Sequence, residues 1–184
     1  MTSLTTSLRE TKPSTIAAVV GFAAALAAAA QVSVPIPFTP VPFSLQPLVV
    51  ALAGLMLGPV AGAASMALYL AAGAAGLPIF SPIPGLPQGI ARFMGPTGGY
   101  LIAYPIAAFV TGTLAGKQPT FFRRFLAACA GIAMIFVGGI AQLTIQTGSI
   151  GRALELGITP FVPLDAVKAL IAAGIAAPRK PSRA

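Results

Sequence analysis

The sequence predicts an all-α integral membrane protein, in which six transmembrane helices form a single membrane domain and Pro-rich outer loops cover a ligand pocket. Three observations carry this prediction. Only 8% of the 184 residues are charged, whereas soluble domains carry about 25%. Hydrophobic residues make up 57% of the chain and stand in long unbroken runs. The mean hydropathy of +0.91 is typical of polytopic membrane proteins.

The first helix is predicted over Ser14–Ala30, an apolar run with Ser14 at a suitable N-cap position. A secretory signal would be followed by a cleavage site. Here the run leads into the Pro-rich segment Gln31–Ser44 instead, so we expect a retained helix. Four prolines exclude a helix from that segment. Irregular backbone at membrane depth must be covered by protein or line a cavity, so the segment is expected to act as a lid or a plug.

A turn is predicted inside the next apolar stretch, Leu45–Leu77. As a single helix its 33 residues would measure about 50 Å, against a hydrocarbon core of about 30 Å. The dipeptide Gly58-Pro59 is the natural place for the turn. Two short helices are therefore predicted, near Leu45–Leu57 and Val60–Ala75.

The rest of the chain alternates apolar spans with polar or Pro-rich connectors. The remaining spans are predicted over Thr97–Gly116, Phe125–Thr144 and Phe161–Ala177, and the connectors are Gly76–Met94, Lys117–Arg124 and Gln146–Thr159. The six-helix core then covers residues 14–177, between a cytoplasmic N-terminal segment, residues 1–13, and a basic cytoplasmic tail, residues 178–184.

The basic residues indicate how the chain is oriented in the membrane. With six spans both termini lie on one side. That side holds eight of the eleven Lys and Arg residues, whereas the opposite side holds only Arg92 and Arg152. By the positive-inside rule both termini are cytoplasmic, and both Pro-rich loops face outward.

The net charge of +8 would also suit a nucleic acid, but no basic face interleaves with aromatic residues, so we expect no nucleic-acid partner.

Two charges lie inside the last predicted span. Asp165 and Lys168 are three residues apart, which places them on one helix face within reach of each other. A charge at the centre of a transmembrane helix costs about 2.5–3.5 kcal/mol on insertion scales. Either the two side chains form an ion pair that serves folding alone, or they face an outward cavity and meet a ligand. The second interpretation is favoured because this helix end faces outward, and a carboxylate is stabilised near a helix N-terminus.

A second candidate site surrounds Arg92, which precedes the glycine-rich block GPTGGY at Gly95–Tyr100. A helix N-terminus beside an arginine is suited to bind an anion, although an ordinary helix start with a surface arginine explains the same pattern. Taken singly, the other polar residues near the outer loops are better explained by packing or by the membrane interface. They are Gln46, Tyr69, Ser81, Gln88, Tyr100 and Tyr104. Of these, Gln46, Ser81, Gln88 and Tyr100 are retained as candidate substrate-binding residues. Gln142 and Gln146, near the outer end of the fifth helix, are further candidates for lining the same cavity.

Residues for catalysis or metal binding are not evident. The sequence has no histidine, a single cysteine in mid-span (Cys129), no P-loop and no metal-ligand spacing. We therefore expect no enzyme, no metal and no cofactor, and any ATP hydrolysis would fall to partner subunits.

In the first helix, Ala23 and Ala27 form a small-xxx-small pair, which favours close helix contact either with a partner or within the molecule.

Three blocks of the sequence are distinctive in combination. They are PVPFSLQPLVVALAGLMLGPVAGAASMALYLAAGAAGLPIF at Pro40–Phe80, GPTGGYLIAYPIAA at Gly95–Ala108 and PFVPLDAVKALIA at Pro160–Ala172. Together they resemble the BioY family, the biotin-binding S components of energy-coupling-factor (ECF) transporters. The resemblance implies a protein of the prokaryotic cytoplasmic membrane with six helices and an outward biotin pocket. It also implies a transmembrane coupling protein and two cytoplasmic ATPases as partners.

The resemblance also implies which side chains contact the ligand: Arg92, Tyr100, Asp165 and Lys168. The stretch SPIPGLPQG departs from the family pattern, and the chain has no asparagine. Contacts from that stretch would therefore come from Ser81, Gln88 or the backbone.

Biotin has chemical groups that suit these residues. A carboxylate such as Asp165 accepts strong, charge-assisted bonds from the two ureido N–H groups. Either Arg92 or Lys168 pairs with the valerate carboxylate, and Phe38 and Phe43 cover the apolar ring. The alternatives are an S component for a different vitamin and a structural membrane subunit that transports nothing.

Overall fold

The structure, a computed structural model, describes residues 13–176. Residues 1–12 and 177–184, which include most of the predicted N-terminal segment and the whole basic tail, lie outside the described residues. The helices are α1 (Pro13–Gln31), α2 (Gln46–Ala74), α3 (Gly98–Ala115), α4 (Phe121–Thr147), α5 (Ile150–Gly157) and α6 (Val162–Ile175), with a 3₁₀ helix at Gly89–Met94 and two strands, β1 (Ser33–Ile36) and β2 (Thr39–Ser44).

Helix α2 folds back on itself in its middle, as predicted. Gly58 has a non-helical backbone with φ 78°, which favours glycine, and Pro59 follows it. Gln46 donates a hydrogen bond of 2.9 Å to the hydroxyl of Tyr69, although the two residues would be about 35 Å apart in a straight helix. A Cβ on Gly62 would meet the carbonyl of Ala53. The two halves of α2 are therefore antiparallel and in close contact.

The described part of the chain contains six helical segments, the number that the sequence predicts. Four helices are long and apolar enough to cross a membrane, and α5 with α6, bent by 53° at their break, form a further candidate span. Because α2 contains two antiparallel halves, the chain provides six segments. The protein is thus a mostly helical, multi-pass membrane protein. Helix α3 is its central member, since it packs against both α2 and α4.

Two connectors are more regular than the sequence indicates. The Pro-rich segment Gln31–Ser44 forms an antiparallel hairpin, with Val34 opposite Phe43 and an irregularity between Val34 and Ile36. Proline excludes a helix but is tolerated in edge strands. The hairpin is therefore an element that the predicted all-α fold class does not include. The predicted connector Gln146–Thr159 contains α5. Its first turn is capped by Ser149, whose hydroxyl accepts a bond from the backbone N–H of Arg152.

The two ends of the helix bundle differ in chemistry. At one end the first turn of α4, which begins at Phe121 within the predicted connector Lys117–Arg124, holds helix C-termini. Arg123 there donates to the carbonyl of Leu114 and Arg124 to that of Ala173. Cations in these positions satisfy the free carbonyls of α3 and α6. At the other end the hairpin meets α5 through a 2.7 Å hydrogen bond from Thr39 to the carbonyl of Leu156. The candidate site lies at this second end.

Candidate ligand-binding site

A cavity with charged and aromatic walls lies beneath the β1–β2 hairpin. Its walls come from β2, the start of α2, the Gly76–Thr97 region, α3, α4 and α6. The lining residues are Val41, Pro42, Ser44, Gln46, Pro47, Ser81, Arg92, Thr97, Tyr100, Leu101, Tyr104, Ile135, Phe136, Phe161, Asp165 and Lys168. The cavity volume is about 60 Å³, whereas small-molecule pockets usually measure about 300–1,000 Å³. A vitamin-sized ligand therefore requires the cover to move.

One wall of the cavity carries a buried ion pair in the first turns of α6. The Nζ of Lys168 lies 2.5 Å from Oδ1 of Asp165, and both side chains are buried. The same ammonium lies 4.1 Å from the ring centroid of Phe43 in β2, a cation–π contact. Within the described part of the chain, Oδ2 of Asp165 receives no hydrogen bond. That oxygen is therefore free to accept from a ligand.

A second wall carries Arg92, which is only 2% exposed. Its Nη1 donates to the carbonyl of Pro87 at 3.3 Å, while its Nε has no partner among residues 13–176. No acidic side chain in that range pairs with it. Burial lowers the pKa of Arg92 from its ordinary value, yet a guanidinium remains protonated in proteins. The buried charge therefore lacks a counterion within the described chain.

The other buried arginine, Arg124, shows what a structural role looks like. Its Nε donates to the carbonyl of Ala173 and its Nη1 to that of Pro119, both at 2.9 Å. Among residues 13–176, Arg92 makes only one such bond. Since the Asp165–Lys168 pair is neutral as a whole, Arg92 gives the cavity a net charge of +1. This balance suits a ligand with a single anionic group.

A third polar cluster lies where α2 begins and holds Gln46 in a fixed orientation. Nε2 of Gln46 donates to Tyr69, and Oε1 accepts from the hydroxyl of Ser44 at 3.4 Å. Tyr69 in turn donates to the carbonyl of Ile79 at 3.3 Å. Because an amide nitrogen has two hydrogens, Gln46 keeps one donor for a ligand carbonyl.

Two tyrosines of α3 line the cavity one helical turn apart. The hydroxyl of Tyr100 donates to the carbonyl of Gly157 at 3.0 Å, which fastens α5 to α3. Tyr104 is buried and also lines the cavity. The i, i+4 spacing places both on one face of α3.

The structure brings most of the predicted ligand residues together. Six of the eight line the cavity: Gln46, Ser81, Arg92, Tyr100, Asp165 and Lys168. Gln88 does not line it, and instead donates to the carbonyl of Ser81 at 3.2 Å, which supports the loop. Phe38 is 68% exposed at the hairpin turn and lies outside the cavity, so Phe43 is the hairpin aromatic that meets the site.

Other predicted positions serve the packing around the site. Ala23 is buried in the core and Ala27 packs against it, so within the described chain the pair makes internal contacts. Gln142 and Gln146 donate to loop carbonyls, that of Met94 among them, and hold the loop in place. Residues 13–176 contain no group of three or more His, Cys, Asp or Glu side chains that could bind a metal ion.

Three polar lining residues are not among the predicted ligand contacts: Ser44, Thr97 and Tyr104. Thr97 lies within the GPTGGY block at the start of α3. Its hydroxyl caps no helix amide and, like that of Ser81, has no hydrogen-bond partner within the described residues. Uncharged side chains in loops give no sequence signal of this kind, because their exposure is decided by packing.

Comparison with known proteins connects this geometry to one family. A sequence profile of the BioY family matches residues 2–183. The chain is 43% identical over 155 residues to the "Probable biotin transporter BioY" of Pyrococcus horikoshii and 37% identical over 155 residues to the "Biotin transporter BioY" of Thermotoga maritima. Each alignment covers 84% of this chain and 89% of the relative.

A solved structure shares the fold as well. The S-component for biotin from an ECF-type ABC transporter superposes with a TM-score of 0.80 at 28% sequence identity. The match covers 89% of this chain and 88% of that protein. The described helices, the covered cavity and the extent of these matches agree: the chain belongs to the BioY family.

Proposed function

We propose that this protein binds biotin and mediates its uptake across the prokaryotic cytoplasmic membrane, as the substrate-specificity subunit of an ECF-type transporter. The observation that carries the proposal is the cavity itself, in which an ion pair with a free acceptor oxygen and an unneutralised arginine share one chamber. Relatives named as biotin transporters support the choice of ligand.

The ureido ring of biotin is assigned to the Asp165 side of the cavity. The ring presents two N–H donors and one carbonyl acceptor. Oδ2 of Asp165 accepts from the N–H groups in bonds strengthened by the negative charge. Lys168 orients the carboxylate through its contact with Oδ1. The remaining Nε2 hydrogen of Gln46 is suited to the ureido carbonyl.

The valerate carboxylate is assigned to Arg92. Its buried guanidinium gains a counterion, and the Nε–H gains a hydrogen-bond acceptor, when an anion enters the cavity. The thioether ring and the alkyl chain are apolar and suit the walls formed by Val41, Ile135 and Phe136. A neutral vitamin would leave the charge of Arg92 without a counterion, which disfavours such ligands.

Energy for uptake is assigned to partner subunits, because the sequence holds no nucleotide-binding motif. We infer that a transmembrane coupling protein and two cytoplasmic ATPases supply it. In this arrangement both termini are cytoplasmic and the hairpin faces outward, which agrees with the basic residues Arg123 and Arg124 at the end opposite to the cavity.

Titration of the detergent-purified protein tests the proposal. We expect one biotin per chain, and no saturable binding of thiamine or riboflavin under the same conditions. Binding of another vitamin in place of biotin would identify an S component of different specificity. Binding of no vitamin would contradict the proposal and favour a structural membrane subunit.

A further inference from the structure

Three buried hydrogen-bond donors of the cavity have no partner within the described chain. They are Nε of Arg92 and the hydroxyls of Ser81 and Thr97, whose residues are 2%, 3% and 7% exposed. More than about nine in ten buried polar groups in proteins are hydrogen-bonded, because a buried donor left without an acceptor is destabilising. Their occurrence together in one cavity indicates that a ligand supplies the acceptor.

The hydroxyl of Thr97 has no structural task in the surrounding backbone. Threonine at an N-cap normally uses its hydroxyl to accept a bond from a helix amide. At the N-cap of α3, the Thr97 hydroxyl makes no such bond, and only the Thr97 carbonyl takes part in the helix, as the acceptor of its first backbone bond, from the amide of Leu101. The side chain lines the cavity at the positive end of the α3 dipole.

The hydroxyl of Ser81 is in a similar position. The loop around it is held through its backbone, since Gln88 donates to the carbonyl of Ser81 and leaves Oγ unused. Both hydroxyls and the guanidinium belong to one stretch of chain, from the end of α2 to the start of α3. Asp165 and Lys168, by contrast, belong to α6.

We propose that the hydroxyls of Thr97 and Ser81 complete, together with Arg92, a carboxylate subsite that makes binding selective for the free acid over its ester. A carboxylate offers about four lone-pair positions on two oxygens, enough for all three donors. An ester keeps a carbonyl acceptor but loses the charge that strengthens each bond. This inference rests on the proposed function, because it takes biotin as the ligand.

The test compares biotin with biotin methyl ester by calorimetry on the purified full chain. Thr97→Val keeps the size of the side chain and removes the hydroxyl. We expect it to weaken biotin binding about tenfold or more and ester binding less than threefold. Thr97→Ser should restore most of the affinity for biotin. Ser81→Ala should likewise weaken the binding of biotin more than the binding of its methyl ester.

Thr113→Val is the matched control, since Thr113 lies on the exposed face of α3 and its hydroxyl is bonded to the carbonyl of Phe109. If Thr97→Val and Ser81→Ala weaken both ligands equally or leave biotin binding unchanged, the inference is wrong while biotin binding by the wild type stands. If the wild type itself fails to bind biotin, the proposed function is wrong and the inference falls with it.

Discussion

The carboxylate of Asp165 and the ammonium of Lys168 form a buried ion pair that lines a cavity. Taking two charges out of water costs several kcal/mol per ion, and their attraction offsets this only in good geometry with further hydrogen bonds. Within the described chain the pair has one hydrogen bond, between its own members. If the ion pair served folding alone, its position on a cavity wall would not stabilise it. A ligand that donates a hydrogen bond to Oδ2 of Asp165 does stabilise the pair.

The charge of Arg92 should distinguish biotin from biotin methyl ester. Arg92→Ala is expected to weaken biotin binding about ten- to a hundredfold, because a charge-assisted bond contributes about 1.5–3 kcal/mol. Ester binding should fall much less. Arg152→Ala, at an exposed arginine of α5, should leave the affinities for both ligands unchanged. Equal losses for both ligands in calorimetry would show that Arg92 does not contact the carboxylate, and Lys168 would then be the candidate.

The bond from Thr39 to the carbonyl of Leu156 should slow the release of the ligand. A cavity of about 60 Å³ must open for biotin, and this 2.7 Å bond joins the hairpin to α5. Because one neutral hydrogen bond contributes about 1 kcal/mol, Thr39→Val is expected to raise the dissociation rate of labelled biotin about fivefold. Thr159→Val, at an exposed threonine bonded to the carbonyl of Leu154, is the control. An unchanged rate in Thr39→Val would mean that the hairpin does not gate release.

Gly157 should be required for the packing of α5. A Cβ at this position would overlap the hydroxyl of Tyr100 and crowd Leu143 and Ile140. Gly157→Ala is therefore expected to destabilise the protein by about 1–3 kcal/mol, seen as a lower melting temperature. Gly174→Ala, where a Cβ meets nothing within 4 Å, should leave the melting temperature unchanged. Equal melting curves for the two variants would contradict the described contact between α5 and α3.

The orientation in the membrane is open to a direct test. Both termini should be cytoplasmic, because eight of the eleven basic residues lie on their side. Reporter fusions that are active only inside or only outside the cell would decide this. An external signal from either terminus would contradict this topology, and external signals from both would place the cavity on the cytoplasmic side.

The sequence predicts those elements that local chemistry decides. Apolar runs predict the spans, and a Gly-Pro pair in a run too long for one span predicts the turn at Gly58. The i, i+3 spacing of Asp165 and Lys168 predicts their contact, since helix geometry fixes it. Charged residues are rare in so apolar a chain, and for that reason the sequence also predicts a site at Arg92.

The remaining features depend on contacts between distant parts of the chain. Proline excludes a helix at Gln31–Ser44, but the hairpin forms only through pairing whose register no local pattern in this segment indicates. Whether Phe38 or Phe43 turns toward the site depends on that register. Thr97 and Tyr104 are uncharged, so the sequence gives no reason to choose them until the packing of α3 shows that they line the cavity.

The most direct measurement is a calorimetric titration of biotin into the purified wild type and Asp165→Asn, with melting curves for both. Asn keeps the shape of the side chain but replaces a charged acceptor with a neutral amide, so the account predicts a loss of about 1.5–3 kcal/mol, or about ten- to more than a hundredfold in affinity. Glu155→Gln, at an exposed acid of α5, should bind biotin as the wild type does. Unchanged biotin affinity in a well-folded Asp165→Asn protein would contradict the account, because the ion pair would then be structural alone.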